Sequence, residues 1–449
     1  MPSLHPSGFL ALCLQASNEK TAMSDVVVAM CRRGRSSKAA KSTMRFFSRL
    51  APSPAAARQG YSSIAPAAVA LRLCERKNYP ILVHERSQLL PPLRVLLRPQ
   101  ALRPGILQVR AARLHSRTVL REQQPGIRTT GIPSREQQPD ENKTITLPSS
   151  GKVVSYATCG APLACASRAA VYLHGFPGNR LESLLLHSTA LAHNVHILAP
   201  DRPGFGRTPY ESNRTVASYP NDHLLPFMDA VGIDKFSIVA FSGGGPYAAA
   251  CLAFAPASLR VLSTVVVSGA TPLAASADGF KNARMSNRLL FWFGRNMSVP
   301  WLEKTLAVLD PPPSADFMQY TPDQPKMKAY LSQLAPADRT FTLANFDLMK
   351  RIRVEAYALN PIQTLTAVAE DLKAYSQPLD LNLTAARNLH VFHGDNDVNI
   401  PFSQTAYWKD NVPHVTVTPC SGDAHWSVLG TRKEEIIRAA LANRDESGL

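Results

Sequence analysis

FSIVAFSGGGPYAAACLAFA, residues 236–255, joins a short apolar run to a helix of small residues through a turn only a few residues long. Phe236-Ser237-Ile238-Val239-Ala240-Phe241 has the length and β-branched content of a buried strand, and Pro246-Tyr247-Ala248-Ala249-Ala250-Cys251-Leu252 reads as a helix. A strand that reverses into a helix this quickly forces its central residue into a strained backbone conformation, and small neighbours relieve the crowding. That central residue is Ser242. Ala240-Phe241-Ser242-Gly243-Gly244 fits the turn written G-x-S-x-G, with Ala at the first Gly position. Such a turn lifts a hydroxyl clear of the sheet above a helix N-terminus, which suits a nucleophile. The alternative is a glycine-rich turn without chemistry.

Working outward, strands and helices alternate. Residues 144–147 and 153–157 read as a hairpin, and 170–173 as a strand running into His174-Gly175-Phe176-Pro177-Gly178. A helix over 181–193 leads to a strand at 195–199 that ends in Pro200-Asp201-Arg202-Pro203-Gly204-Phe205-Gly206. Another helix spans 216–231, and the strand 261–267 follows the serine turn. This spacing implies a mostly parallel sheet with helices on both faces. Over residues 271–386 the rhythm lapses into helices at 289–293, 301–309, 327–334 and 365–375, joined by Pro-rich links such as Pro311-Pro312-Pro313. These read as a helical lid inserted between two strands. Sheet rhythm resumes with a strand at 389–392, then Gly394-Asp395-Asn396-Asp397, a helix at 403–411, a strand at 414–418, the loop 421–426 and a last helix at 432–442. The expected core is therefore 141–270 with 387–449, and the lid 271–386.

Of the 49 Lys+Arg and 33 Asp+Glu in the 449 residues, 22 and 7 fall in residues 1–140, so that segment holds +15 of the net +16. Rich in Arg, Ser, Ala and Pro without sustained periodicity, it reads as a disordered basic tail. Met44-Arg45-Phe46-Phe47-Ser48-Arg49-Leu50 and the acid-free run to Ala70 are similar to a mitochondrial presequence, so the compartments expected are cytoplasm or mitochondrion. Charge confined to one end is a property of the tail and not of a nucleic-acid-binding face. Arg121-Glu122-Gln123-Gln124-Pro125 recurs as Arg135-Glu136-Gln137-Gln138-Pro139, too short a duplication for a repeat fold. No apolar run is long enough to span a bilayer. Seven cysteines without C-x-x-C spacing imply neither a disulfide framework nor a zinc site. H-E-x-x-H is absent and Gly243-Gly244-Gly245 lacks the Lys of a phosphate loop, so no metal or cofactor is expected.

A serine hydroxyl keeps its proton near neutral pH, so it needs a base, and the base needs an orienting acid. Of twelve histidines, His425 stands on a loop directly after a strand near the C-terminus, while His174 and His393 stand before glycines at strand ends and read as braces for their turns. No Asp or Glu directly follows the strand 261–267; the next strand's loop offers Asp395 and Asp397. Phe291, Trp292 and Trp301 in the helical stretch, and Trp426 beside the histidine, are candidates to line an apolar pocket.

His174-Gly175-x-Pro177-Gly178, Asp201-Arg202-Pro203-Gly204-x-Gly206, Ser242 in its turn, Gly394-x-x-Asp397 and Gly422-x-x-His425-Trp426, in that order, closely resemble the α/β-hydrolase superfamily, over residues 144–442. The nearest likeness is to its lidded branch, which includes fungal hydrolases of unassigned substrate, epoxide hydrolases and proline iminopeptidases. The resemblance implies a Ser-Asp-His triad, Ser242, Asp397 and His425, with the acid three residues after Gly394 and four before Pro401. It also implies an oxyanion hole from the backbone N–H groups of Phe176 and Gly243. The expected activity is hydrolysis of an ester or similar small acyl substrate. Epoxide hydrolysis calls for a carboxylate where Ser242 stands. A proline-iminopeptidase-like activity would call for lid carboxylates such as Glu303, Asp310 or Asp316, and a non-catalytic binding scaffold is the remaining alternative.

Because the tail's composition cannot bury a core, deletion of residues 1–120 is expected to leave a folded, active protein. Loss of cooperative unfolding in the shortened chain would show instead that the segment belongs to the fold.

Overall fold

Strands that are apolar along their whole length bury both faces, and the chain satisfies this by covering one sheet on both sides. The computed structural model describes residues 138–271, 283–377 and 379–442; the presequence-like piece and the expected basic tail up to residue 137, with all but the last two residues of the short duplication, lie outside them, and the tail's expected last residue, Asp140, already begins the sheet. Eight strands form the sheet: β1 (Asp140–Thr146), β2 (Val153–Gly160), β3 (Arg168–Leu173), β4 (Val195–Pro200), β5 (Phe236–Phe241), β6 (Val261–Val267), β7 (Leu389–Gly394) and β8 (Thr416–Cys420). Their order is β1-β2-β4-β3-β5-β6-β7-β8. β1 and β2 pair antiparallel, as does β2 with β4, and all later neighbours are parallel. β4 and β5 flank β3, so the direction of winding reverses there and opens a crevice outside the carboxyl ends of β3 and β5.

Side chains alternate across the sheet with period two. Ile238 and Ala240 of β5 join one apolar cluster with Leu173, Val266 and Val391, against α2 (Leu225–Ala230) and α3 (Gly245–Ala253). Val239 and Phe241 join the other, with Tyr172, Val267 and Phe392, against α1 (His187–Ala192) and two C-terminal helices. Two expected helices prove less regular. Residues 180–186 form a 3-10 helix ahead of α1, and the helix expected from 216 begins only at Pro220, with a π turn before α2.

Between β6 and β7 lie α4 (Met285–Asn296), α5 (Val299–Leu309), α6 (Pro325–Ser332), α7 (Pro336–Ala344), α8 (Phe346–Glu355) and α9 (Pro361–Tyr375). The sequence reading did not anticipate α7 and α8, which are 9 and 10 residues long and separated only by Asn345. Pro336 at the first helical position was the available start signal. α4, α5 and α9 share an apolar cluster of their own, built on Leu302, Leu306, Val368 and Leu372 and closed by Phe205 from the loop after β4. α10 (Thr405–Asn411) precedes β8, and α11 (Ser427–Thr431) and α12 (Lys433–Leu441) follow it.

A buried ion pair ties these parts together. The Arg180 guanidinium, fully buried, donates to Asp201 Oδ2 at 2.9 Å, Glu355 Oε1 at 2.6 Å, Asn142 Oδ1 at 2.8 Å and the Glu141 carbonyl at 2.6 Å. Asp201 also accepts the Arg180 and Arg207 backbone N–H groups at 2.7 and 3.0 Å, which makes its loop a structural turn. Removing Asp201 leaves the buried Arg180 guanidinium with Glu355 as its remaining carboxylate and takes the acceptor from two backbone N–H groups, so Asp201→Ala is expected to destabilise the fold by about 3–5 kcal/mol. A shift in urea midpoint worth under about 1 kcal/mol would show that Arg180 finds another acceptor.

Candidate active site

At the carboxyl end of β5 the backbone of Ser242 takes φ +49°, in the left-handed region that a β-carbon disfavours. Close packing imposes this. A Cβ at Gly243 would collide with the Phe176 side chain, and one at Gly244 with the Leu173 carbonyl oxygen, so only glycine lets the turn settle onto the end of β3. Ala240 is fully buried, so the first position of the motif does accommodate a methyl group. The Ala270 N–H donates to the Ser242 carbonyl at 2.8 Å and pins the turn to the end of β6.

His425 Nε2 lies 2.9 Å from Ser242 Oγ, and its Nδ1 lies 2.7 Å from Asp397 Oδ2. An ionised carboxylate only accepts, so Nδ1 carries the proton and Nε2 is the acceptor for the serine hydroxyl. Asp397 Oδ1 accepts the Asn399 and Ile400 N–H groups at 2.8 and 2.9 Å. Asp395 faces elsewhere and accepts the Gly422 N–H at 2.9 Å. His393 donates from Nε2 to the Ile400 carbonyl at 2.8 Å and so braces the same turn. Burial disfavours the His425 imidazolium, but Asp397, by its charge and hydrogen bond, and then Asp338 and Glu182 outweigh it and hold the pKa above the ordinary imidazole value.

The backbone N of Phe176 lies 3.1 Å from where a Gly243 Cβ would stand, so the two N–H groups expected to act together are neighbours. Gly243 belongs to the first turn of a helix, where N–H groups have no intrahelical acceptor. A fully buried charge cluster supports the loop carrying Phe176. Arg202 donates to the carbonyls of His174 and Gly175, the latter at 3.0 Å, and lies 3.2 Å from Asp371 Oδ2. Asp371, on α9, takes Arg214 Nη1 at 2.6 Å and the Tyr247 hydroxyl at 2.8 Å. The Tyr375 hydroxyl sits 2.9 Å from the Gly243 carbonyl and 3.0 Å from Asp371 Oδ2. Burial opposes ionisation of Asp371, yet Arg214 and Arg202 prevail and keep its pKa below the ordinary carboxylate value. His174 Nε2 accepts the Arg202 N–H at 3.0 Å; burial and the Arg202 charge hold this imidazole well below its usual pKa, as a neutral brace.

Two further carboxylates at the site carry no motif. Glu182 Oε2 accepts the Gly175 N–H at 2.8 Å while Oε1 has no hydrogen-bond partner among the described residues, and burial pushes its pKa up to about 8 against the pull of that N–H and Arg202. Asp338, on α7, accepts the backbone N–H groups of His425, Trp426 and Ser427. Pro336 at the start of α7 was the one sequence signal near it. Of the aromatic candidates, Trp426 packs on Phe241 with ring centres 4.6 Å apart and 6.4 Å from the His425 ring. Phe291 lies against the same two apolar clusters as Phe176. Trp292 and Trp301 meet through Phe293, at 5.5 and 5.2 Å, within the helical stretch. A cavity of about 280 Å³ bounded by Arg180, Arg207, Arg351, Glu141 and Glu355 shares no residue with this site.

The carboxyl ends of β3, β5, β7 and β8 thus converge on one crevice. Solved structures with a similar course include an acyltransferase named as putative from Salmonella enterica (19% identity over 66% of this chain and 92% of that one, TM-score 0.49). Others are an alpha/beta hydrolase fold protein from Chitinophaga pinensis (18%, 67% and 96%, 0.46) and a thermophilic esterase from Thermogutta terrifontis (16%, 66% and 96%, 0.43). No curated protein matches the chain. The model of the alpha/beta hydrolase family matches residues 170–439, from within β3 to within α12. That match takes in more than half of the sequence and every strand end that meets at Ser242, and the chain belongs to the alpha/beta hydrolase family.

Proposed function

We propose that this protein is a serine hydrolase that cleaves an ester or similar small acyl substrate through an acyl-enzyme on Ser242. The observation that carries the reading is the continuous line from Asp397 through both nitrogens of His425 to Ser242 Oγ, at 2.7 and 2.9 Å. Ser242 Oγ attacks the acyl carbon while His425 Nε2 takes the hydroxyl proton, and Asp397 stabilises the imidazolium that results. The carbonyl oxygen, now an oxyanion, is bound by the N–H groups of Phe176 and Gly243. Collapse breaks the bond to the alcohol, which leaves with the proton from His425. Water then attacks the acyl-enzyme, giving its proton to His425; collapse releases the acid and returns that proton to Ser242.

In this reading residues 271–386 form a lid over a core of 141–270 and 387–449, behind a basic tail of 1–140, and Phe291, Trp292, Trp301 and Trp426 contribute apolar surface for the acyl chain. An epoxide-hydrolase mechanism lacks its carboxylate nucleophile, since Ser242 stands at the turn. Of the acids a peptidase could use to bind an amine, Asp310 is already paired with Arg353 Nη2 at 2.6 Å. Among the described residues no helix is long and apolar enough to cross a membrane.

The test is labelling by a fluorophosphonate followed by a panel of acyl esters. Ser242→Ala is expected to abolish labelling and to lower turnover by a factor of about 10⁶. Undiminished turnover of the best ester by this variant would end the serine-hydrolase reading.

Asp397→Asn leaves His425 in the wrong tautomer and is expected to lower kcat by about 10⁴ in a protein that still folds. Asp395→Asn, which disturbs only the Gly422 N–H contact, is expected to lose tenfold or less. The reverse ranking in kcat would move the acid to Asp395.

A further inference from the structure

Asp338 is 2% exposed and stands in the first turn of α7, where an acid ordinarily faces the free N–H groups of its own helix. It turns away from them. Oδ1 accepts the Trp426 and Ser427 N–H groups at 2.8 and 2.9 Å, and Oδ2 the His425 N–H at 3.2 Å. Ser427 Oγ in turn accepts the Ala424 N–H at 2.8 Å, which closes the loop on the other side of the histidine. The His425 imidazole is thus oriented from two directions, by Asp397 at Nδ1 and by Asp338 through the backbone.

We infer that Asp338 is a positioning residue for His425: a carboxylate supplied by the inserted helices that fixes the backbone from which the base reaches Ser242. The inference rests on the serine-hydrolase reading. A base displaced by about 1 Å costs on the order of 10²-fold in rate. Asp338 also acts through its charge. The groups facing the His425 ring are Asp397 and His393 from the end of β7, Glu182 from the 3-10 helix after β3, and Asp338 from α7. Arg284, ahead of α4, interacts with both Asp338 and Asp397 and tempers their effect. The charge of Asp338 stabilises the imidazolium, so its removal lowers the His425 pKa. The base must be neutral to act, and the acid limb of kcat/KM then moves to lower pH.

The experiment compares the full-length parent with Asp338→Ala, Asp338→Asn and Ser242→Ala. It measures p-nitrophenyl butyrate turnover against pH, fluorophosphonate labelling, urea unfolding and the NMR titration of the His425 ring protons. Asp338→Ala is expected to lower kcat by about 10- to 100-fold with KM changed less than threefold. Asp338→Asn keeps an oxygen for the Trp426 and Ser427 N–H groups; it is expected to recover most of kcat while its acid limb and its His425 titration both move to lower pH. A folded Asp338→Ala with the parent's kcat and acid limb overturns the inference, as does a loss that merely follows the unfolded fraction. If the parent neither labels nor turns over the ester, the serine-hydrolase reading fails by itself. The backbone amide resonances of His425, Trp426 and Ser427 then decide, because unchanged amide shifts in a folded Asp338→Ala overturn the inference without any assay of activity.

Discussion

The left-handed backbone of Ser242 is the constraint on which the site depends. A non-glycine residue there costs on the order of 1–3 kcal/mol, and the surroundings must overdetermine it. They do so by contact: Gly243 and Gly244 let the turn come down on Phe176 and the end of β3, and the Ala270 N–H holds the Ser242 carbonyl from the side of β6. The same close approach makes the Phe176 and Gly243 N–H groups neighbours. Strain in the turn and the pair of donors beside it are two results of one packing requirement.

Charge is handled in two ways around this turn. Where cations and anions are buried together, as with Arg202, Arg214 and Asp371, the anion stays ionised and the tyrosine hydroxyls of residues 247 and 375 complete its shell. Where a carboxylate has only one good donor, as Glu182 has in the Gly175 N–H, burial wins and the proton is held more tightly. Replacing such clusters by apolar side chains often costs little stability, so their value here lies in geometry: Arg202 holds two carbonyls of the loop that carries Phe176.

The elements nearest the serine are legible in the sequence because local rules decide them. β5 and β6 occupy the residues that their apolar runs indicate; of the two aspartates after β7, the one that the resemblance implies, Asp397, lies against His425, while Asp395 accepts the Gly422 N–H. What escapes the sequence is long-range. Asp338 and His425 are 87 residues apart, and Arg202 and Asp371 are 169 apart, with no period or motif to link them. α7 and α8 escape for a different reason. Each is too short, at 9 and 10 residues, to be stable by itself, and tertiary contact decides them.

The helices between β6 and β7 pack on one another and also reach the loops that carry the site. Through Asp338 they hold the histidine loop, and through Asp371 they hold the arginines beneath the Phe176 loop. These helices are therefore not an interchangeable module. A chimera that grafts the corresponding segment of a relative onto this sheet would leave three backbone N–H groups and two buried guanidinium groups without their anions, so any such exchange has to carry those two aspartates along.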